Sequence, residues 1–259
     1  EQGIVALNNN KARHPEIFRF DKGNYQAAHI ELYRKGFEPR NYKVDFSSYY
    51  PSVAMALNLG PDTTKIVGYD DYTPDIEFKD EILYVPDNKV NKRLMIKIDR
   101  NKNSCLYDMC STFKEMRKPY KAGKTKEDKS KSDALKIMVN SFYCANANPY
   151  ISYGDMAVGV TITAMARFLI LSAVDIIRGR YGKDAVVYVH TDGINTNVDV
   201  DEQWLTKRLR KLLDYKLNGQ CESVHIDMDK DEYLEGVWIQ VGNYILRNLD
   251  GSVTKHGST

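Results

Sequence analysis

Tyr42-Lys43-Val44-Asp45-Phe46-Ser47-Ser48-Tyr49-Tyr50-Pro51-Ser52 changes its period halfway along. The first five residues alternate, as a strand with one buried face does. Ser47 and Ser48 then offer cap side chains. Pro51 falls in what would be a helix's first turn, where a missing N–H costs no bond. That helix should run through Met55 and Leu57 and stop near Gly60-Pro61. One carboxylate, Asp45, is left at the strand-to-helix junction.

Two further stretches resemble this one in plan. Ala185-Val186-Val187-Tyr188-Val189-His190-Thr191-Asp192-Gly193-Ile194-Asn195-Thr196-Asn197 reads as a hairpin with Asp192-Gly193 as its tight turn. Val224-His225-Ile226-Asp227-Met228-Asp229 alternates and reads as another strand of the same sheet. Between them lie helical patterns: 106–120 and 133–144 around a basic tip at 121–131, a long helix over 156–180, and an amphipathic one over 202–217. Residues 62–100 read as irregular strands and loops broken by Pro74 and Pro86. Near the end, 244–247 and 252–255 flank Asn248-Leu249-Asp250-Gly251 as a hairpin. Together these predict an α+β fold.

The chain has 259 residues, 42% of them hydrophobic, enough for a sizeable core. Net charge is only +2, but the charge is uneven. Lys89, Lys92, Arg93, Lys97, Arg100 and Lys102 face Asp99 alone, and between Lys114 and Lys136 nine basic residues face four acids. Such runs serve as phosphate-facing surfaces or as solvated lysine-rich faces. Four cysteines without CxxC spacing give no zinc or disulfide framework and point to a reduced intracellular setting. The polar Asn8-Asn9-Asn10 interrupts any signal-peptide pattern. The apolar run over 156–177 carries Thr161, Thr163, Arg167 and Asp175, too polar for a bilayer, so a buried helix and no membrane partner are expected.

Asp45 and Asp192 each end a strand where a side chain can stand clear. Two carboxylates converging from neighbouring strands can hold two divalent ions about 3.5–4 Å apart, clamping the attacking and leaving oxygens of a displacement. Hard oxygen donors favour magnesium or manganese. On spacing alone, a helix cap at Asp45 and a turn residue at Asp192 explain both more economically.

The neighbouring residues shift that balance. Asp45 to Ser52, DFSSYYPS, resembles motif A of family B DNA polymerases, D-x-x-S-L-Y-P-S. Lys136 to Cys144, KIMVNSFYC, resembles motif B, K-x-x-x-N-S-x-Y-G. Tyr188 to Gly193, YVHTDG, resembles motif C, Y-x-D-T-D-S/G. The three stand in the family's order. Thr163 to Arg167 is similar to its T-x-x-G-R, and VGNYILRNLDGSVTKHG to its K-x-Y stretch and the hairpin after it. The resemblance runs from about Gly23 to Gly257.

It implies a polymerase palm, an antiparallel sheet backed by helices, with a short helical-hairpin fingers subdomain. Residues 1–104 would be the N-terminal palm with an irregular insertion, 105–149 the fingers, 150–241 the C-terminal palm, and 242–259 the start of a thumb-side hairpin. The implied activity is template-directed addition of deoxynucleotides to a 3′-hydroxyl with two Mg2+ (or Mn2+). The partners would be primer–template DNA and deoxynucleoside triphosphates, with thumb or exonuclease domains supplied elsewhere. No D-x-E exonuclease signature precedes motif A. An intracellular location follows, cytoplasmic or nucleoid, with a virus or mobile element as a compatible origin.

By the same resemblance, Asp45, Asp192 and the Phe46 carbonyl are metal ligands. The Ser48 and Tyr49 N–H groups bind phosphate at a helix start. Tyr50 is the steric gate beneath the sugar. Lys136 reaches the triphosphate, and Asn140 and Tyr143 border the nascent base pair. Arg117 and Lys121 face it from the opposing helix. Thr191 and Tyr244 face DNA. Three positions depart from the pattern. His190, a catalytic position, replaces the first motif-C carboxylate, which weakens cation binding, favours manganese, or bonds a primer phosphate when protonated; a basic residue there is also a feature of some mobile-element polymerases that start synthesis without a primer. Cys144 replaces the motif-B glycine. Gly242 replaces the K-x-Y lysine, lowering DNA affinity. These departures sustain an alternative: a catalytically impaired polymerase-like module that binds nucleic acid or organises other replication chains.

Overall fold

The computed structural model describes residues 28–87, 91–146 and 154–257. Residues 1–27 of the expected N-terminal palm and the Cys144 side chain lie outside the described residues. The elements in chain order begin with β1 (Ile30–Leu32), β2 (Gly36–Glu38), β3 (Asn41–Phe46), α1 (Tyr49–Leu57), β4 (Thr64–Asp71), β5 (Glu77–Lys79), β6 (Ile82–Asp87) and β7 (Lys92–Ile98). They continue with α2 (Cys105–Ala122), α3 (Lys126–Asn146), α4 (Met156–Tyr181), β8 (Val186–His190) and β9 (Gly193–Thr196). The last are α5 (Glu202–Lys216), β10 (Met228–Gln240), β11 (Asn243–Asn248) and β12 (Val253–His256). The result is a mixed fold of helices and antiparallel sheet. It divides into two compact units, one of residues 28–47, 166–212 and 226–257, the other of 48–165 and 213–225.

The first unit is built on an antiparallel sheet in the order β1-β8-β9-β3-β10-β11-β12, with β2 also on β10. Strand β3 lies between β9 and β10. Its Tyr42, Val44 and Phe46 are buried, at 7%, 0% and 3% exposure, while Lys43 and Asp45 occupy the other face. Each such apolar side chain stabilises by about 2 kcal/mol, and a shift of one residue would reverse the two faces. Strand β8 is buried from Val186 to Val189, which fixes the hairpin that carries His190 and Asp192.

Two expectations for this unit are corrected. The hairpin turn is Thr191-Asp192, since His190 pairs with Gly193 across it. Thr191 adopts φ 60, and the Asp192 N–H donates to the His190 carbonyl at 2.7 Å. A β-branched residue in that conformation is strained, and such strain collects at functional sites. The stretch 224–229 is also mostly not strand. Ser223–His225 is a 3-10 turn, and β10 begins at Met228 and continues to Gln240. At the end of β10, Gly242 takes φ 78 and its N–H donates to the Tyr188 hydroxyl at 3.2 Å, so the turn itself demands glycine where the resemblance led us to expect lysine. The hairpin of β11 and β12 forms as expected.

In the second unit, the strands expected within 62–100 pair into one four-stranded sheet, β4-β7-β6-β5, more orderly than the sequence led us to expect. Pro86 sits within β6 opposite Arg93, beyond the stretch paired with β5, where only one flank carries a ladder. Arg93 ties the sheet together, bridging Asp70 and Glu77 and lying 4.9 Å over the Tyr84 ring. Helices α2 and α3 form a hairpin whose tip is shorter than 121–131. Thr125 and Asp128 cap α3: the Asp128 N–H donates to Thr125 Oγ at 3.0 Å, and Thr125 N–H returns to the carboxylate at 3.2 Å.

Helix α1 starts from Ser48 at φ 49, and that serine makes no side-chain cap bond, contrary to expectation. It ends at Asn58 in the left-handed conformation, just before Gly60-Pro61. Helix α4 corrects the reading of 156–177 as too polar for a bilayer: an 18-residue window of it has mean hydropathy 1.9, and 83% of that window is buried in the fold. Burial accounts for its apolar character.

Candidate active site

In the sheet unit the strand ends bring Asp45 and Asp192 to one junction. Asp45 pairs with Gly193, the residue after Asp192, and the Phe46 N–H donates to the Asp192 carbonyl at 2.9 Å. Burial first, and then the Asp45 charge, push the Asp192 carboxyl above its usual range. A cation at this junction would relieve the repulsion that the Asp45 charge exerts on Asp192. Gly193 makes the approach possible: a Cβ there would lie 2.7 Å from Asp45 Oδ1 and against the Lys43 stem.

Lys43 stands on the same face, its Nζ 2.9 Å from Asp45 Oδ1. Net charge and hydrogen bonding both draw this ammonium to Asp45. Burial pulls this ammonium down, but the Asp45 and Asp192 charges outweigh it and hold it above its usual value. Across β10, Asp229 is the direct partner of Asp45 and accepts a bond from Ser47 Oγ at 2.7 Å. Tyr233, raised by burial and then by Asp231, senses Lys43 and Asp45 as well. Sequence reading missed Lys43, Asp229 and Tyr233. The alternation through Asp227 and Asp229 was the available signal, since Met228 turns inward between them.

His190 is exposed at the end of β8, its ring 6.0 Å from Tyr188. Thr191 occupies the strained turn. Tyr244 stacks on Trp238 at 4.5 Å and on His256 at 4.4 Å, making a row of aromatic faces beside the buried Tyr188.

The helical unit gathers the other expected residues. Tyr50 stacks on Tyr143 at 4.2 Å and lies 5.7 Å from Tyr49, which is buried. Ser48 and Tyr49 open α1. Lys114, not singled out by sequence, donates to Ser52 Oγ at 2.9 Å. On the hairpin, Arg117 Nε donates to the Ser132 carbonyl and hydroxyl, both at 3.1 Å, which clamps α2 to α3. Lys136 and Asn140 are exposed along one face of α3, and Lys121 is exposed in the last turn of α2.

The donor set of the sheet unit suits a hard divalent ion. Among the described residues no group of three or more His, Cys, Asp or Glu side chains is gathered to hold a metal. Asp45 and Asp192 are the side chains at this junction that could hold such an ion, with oxygens such as the Phe46 carbonyl or those of a substrate needed to complete its shell.

Known proteins compare as this geometry leads one to expect. The model of one family, DNA polymerase family B, matches residues 2–230. The chain belongs to that family. Among curated proteins it is similar to the DNA polymerase of Thermococcus sp. (strain 9oN-7), 23% identical over 261 residues, and to that of Thermococcus gorgonarius, 24% identical. Each match covers 96% of this chain and 31% of the relative, so the chain spans about a third of their length. Its fold resembles the structure of the family B DNA polymerase from the hyperthermophilic archaeon Pyrobaculum calidifontis, with TM-score 0.60 and 20% identity, over 90% of this chain and 29% of that one.

Proposed function

We propose that this chain is the catalytic core of a template-directed DNA polymerase that adds deoxynucleotides to a 3′-hydroxyl. The observation that carries the reading is the meeting of Asp45 and Asp192 at one strand-end junction, where burial and the Asp45 charge raise the Asp192 carboxyl. Asp45, Asp192 and the Phe46 carbonyl would hold two magnesium or manganese ions. When bound, such ions acidify the primer hydroxyl and neutralise charge on the triphosphate. Asp229, opposite Asp45, adds negative potential on the same face.

The remaining roles follow from chemistry. The Ser48 and Tyr49 amides begin a helix, where N–H groups favour phosphate oxygens. Tyr50, braced by its stack on Tyr143, offers a flat floor that would exclude a 2′-hydroxyl. Lys136, Lys121 and Arg117 supply cations for the triphosphate, and Asn140 and Tyr143 line the base pair. His190, Thr191 and Tyr244 contact primer–template DNA. Residues 105–149 would serve as fingers, 1–104 and 150–241 as palm, and 242–259 as the start of a thumb-side hairpin. Thumb and exonuclease functions would come from further domains or chains, in an intracellular replication setting.

The test is single-nucleotide extension of a primed template with Mg2+ or Mn2+. Wild type should extend, and Asp45→Asn and Asp192→Asn should fall to background. Activity that survives Asp192→Asn would overturn the reading. A second reading, a polymerase-like module that binds DNA without catalysis, is favoured by the Lys43–Asp45 ion pair, which occupies a carboxylate the metals need. It expects DNA binding with no metal-dependent incorporation by wild type.

A further inference from the structure

The carboxylate Oδ1 of Asp45 exposes less than 1 Å2. Lys43 covers it from one side, and the Gly193 backbone position closes another. Lys43 is itself confined, with its side chain 28% exposed and its stem against the hairpin turn. A divalent ion that used this oxygen would meet an ammonium already in its place, and the two like charges could not share it.

We propose that Lys43 is a built-in counter-ion, a positioning residue that holds Asp45 in the metal-free protein and must swing aside before a divalent ion can settle there. The proposal rests on the carboxylate reading above. Lys43 lowers the affinity of the free protein for divalent ions and makes their binding depend on the triphosphate. An arriving triphosphate brings anionic oxygens for the ion and offers the displaced lysine an anionic partner.

Mn2+ titration of the full chain, followed by the electron paramagnetic resonance of the free ion, tests this with and without a deoxynucleoside triphosphate. Lys43→Met and Lys43→Gln should bind Mn2+ roughly tenfold more tightly than wild type in the absence of nucleotide. Lys43→Arg should behave as wild type, and Asp192→Asn should abolish binding. Nucleotide should tighten Mn2+ binding in wild type more than in Lys43→Met. Melting each variant in chelator confirms that it is folded, and two neutral replacements guard against one misfolding.

Equal or weaker binding by both neutral variants, with loss in Asp192→Asn, overturns the Lys43 proposal and leaves the carboxylate site standing. Binding unaffected by Asp192→Asn, or absent from every variant, overturns the carboxylate site and the Lys43 proposal with it.

Discussion

Burial and the Asp45 charge both raise the carboxyl of Asp192. For an acid raised on folding, the stabilising contribution is present below the unfolded value of about 4 and is lost as pH climbs through the folded one. Ionised Asp192 therefore strains the metal-free protein at neutral pH. In chelator at pH 7, Asp192→Asn should melt higher than wild type, by about 2–4 °C if roughly 1 kcal/mol is relieved. The gap should close toward pH 3, and equal melting at both pH values would contradict the argument. Tyr50 gives a second expectation. Tyr50→Ala should admit ribonucleotides in the extension assay, while losing a stack with Tyr143 of about 1 kcal/mol. Tyr50→Phe keeps the ring and should keep sugar selection; equal use of both sugars by wild type would remove the gate role. Both aspartates were legible through the motifs around them, since on spacing alone a cap and a turn residue would explain them. Lys43 and Asp229 were not, because their importance depends on which strands lie beside β3, and pairing between distant strands leaves no local mark.

Secondary elements were most readable where their signals are local. The helical hairpin, α4 and the final β11–β12 hairpin follow from periodicity and turn residues. The start of α3 shows how one cap residue outweighs composition. Lysines over 121–131 read as a tip, yet Thr125 and Asp128 exchange capping bonds and carry the helix back to Lys126. Thr125→Ala should cost about 1 kcal/mol, seen as a lower melting temperature and as faster amide exchange confined to the first turn of α3. Residues 62–100 hid a sheet because its organiser is Arg93, whose partners Asp70 and Glu77 sit on other strands. A proline in β6 then argued against a strand that in fact tolerates it.

Across the whole molecule, composition foretold a substantial core. Among the described residues Cys105, Cys110 and Cys221 are free, and burial pushes all three thiols up to about 12. Thiolate, the reactive form, is then scarce at neutral pH. Alkylation of these three sites at pH 7.5, mapped by mass spectrometry, should be slow in the native protein and fast in denaturant. Rapid native labelling at any of them would show that its surroundings open readily. The division into two units escaped sequence reading, since it cuts within α4 and α5 and no linker composition marks it.

Strand β3 is flanked on both sides, by β9 and β10, and its faces alternate residue by residue. One amino acid inserted between Asn41 and Asp45 would turn the acid inward and a valine outward, with no open border along which the ladder could slide back. The loop at Leu249-Asp250-Gly251 is under no such constraint, since it protrudes between β11 and β12 and Leu249 is 60% exposed. An epitope tag or a dye-bearing peptide belongs there, where lengthening the chain leaves the acidic face in register.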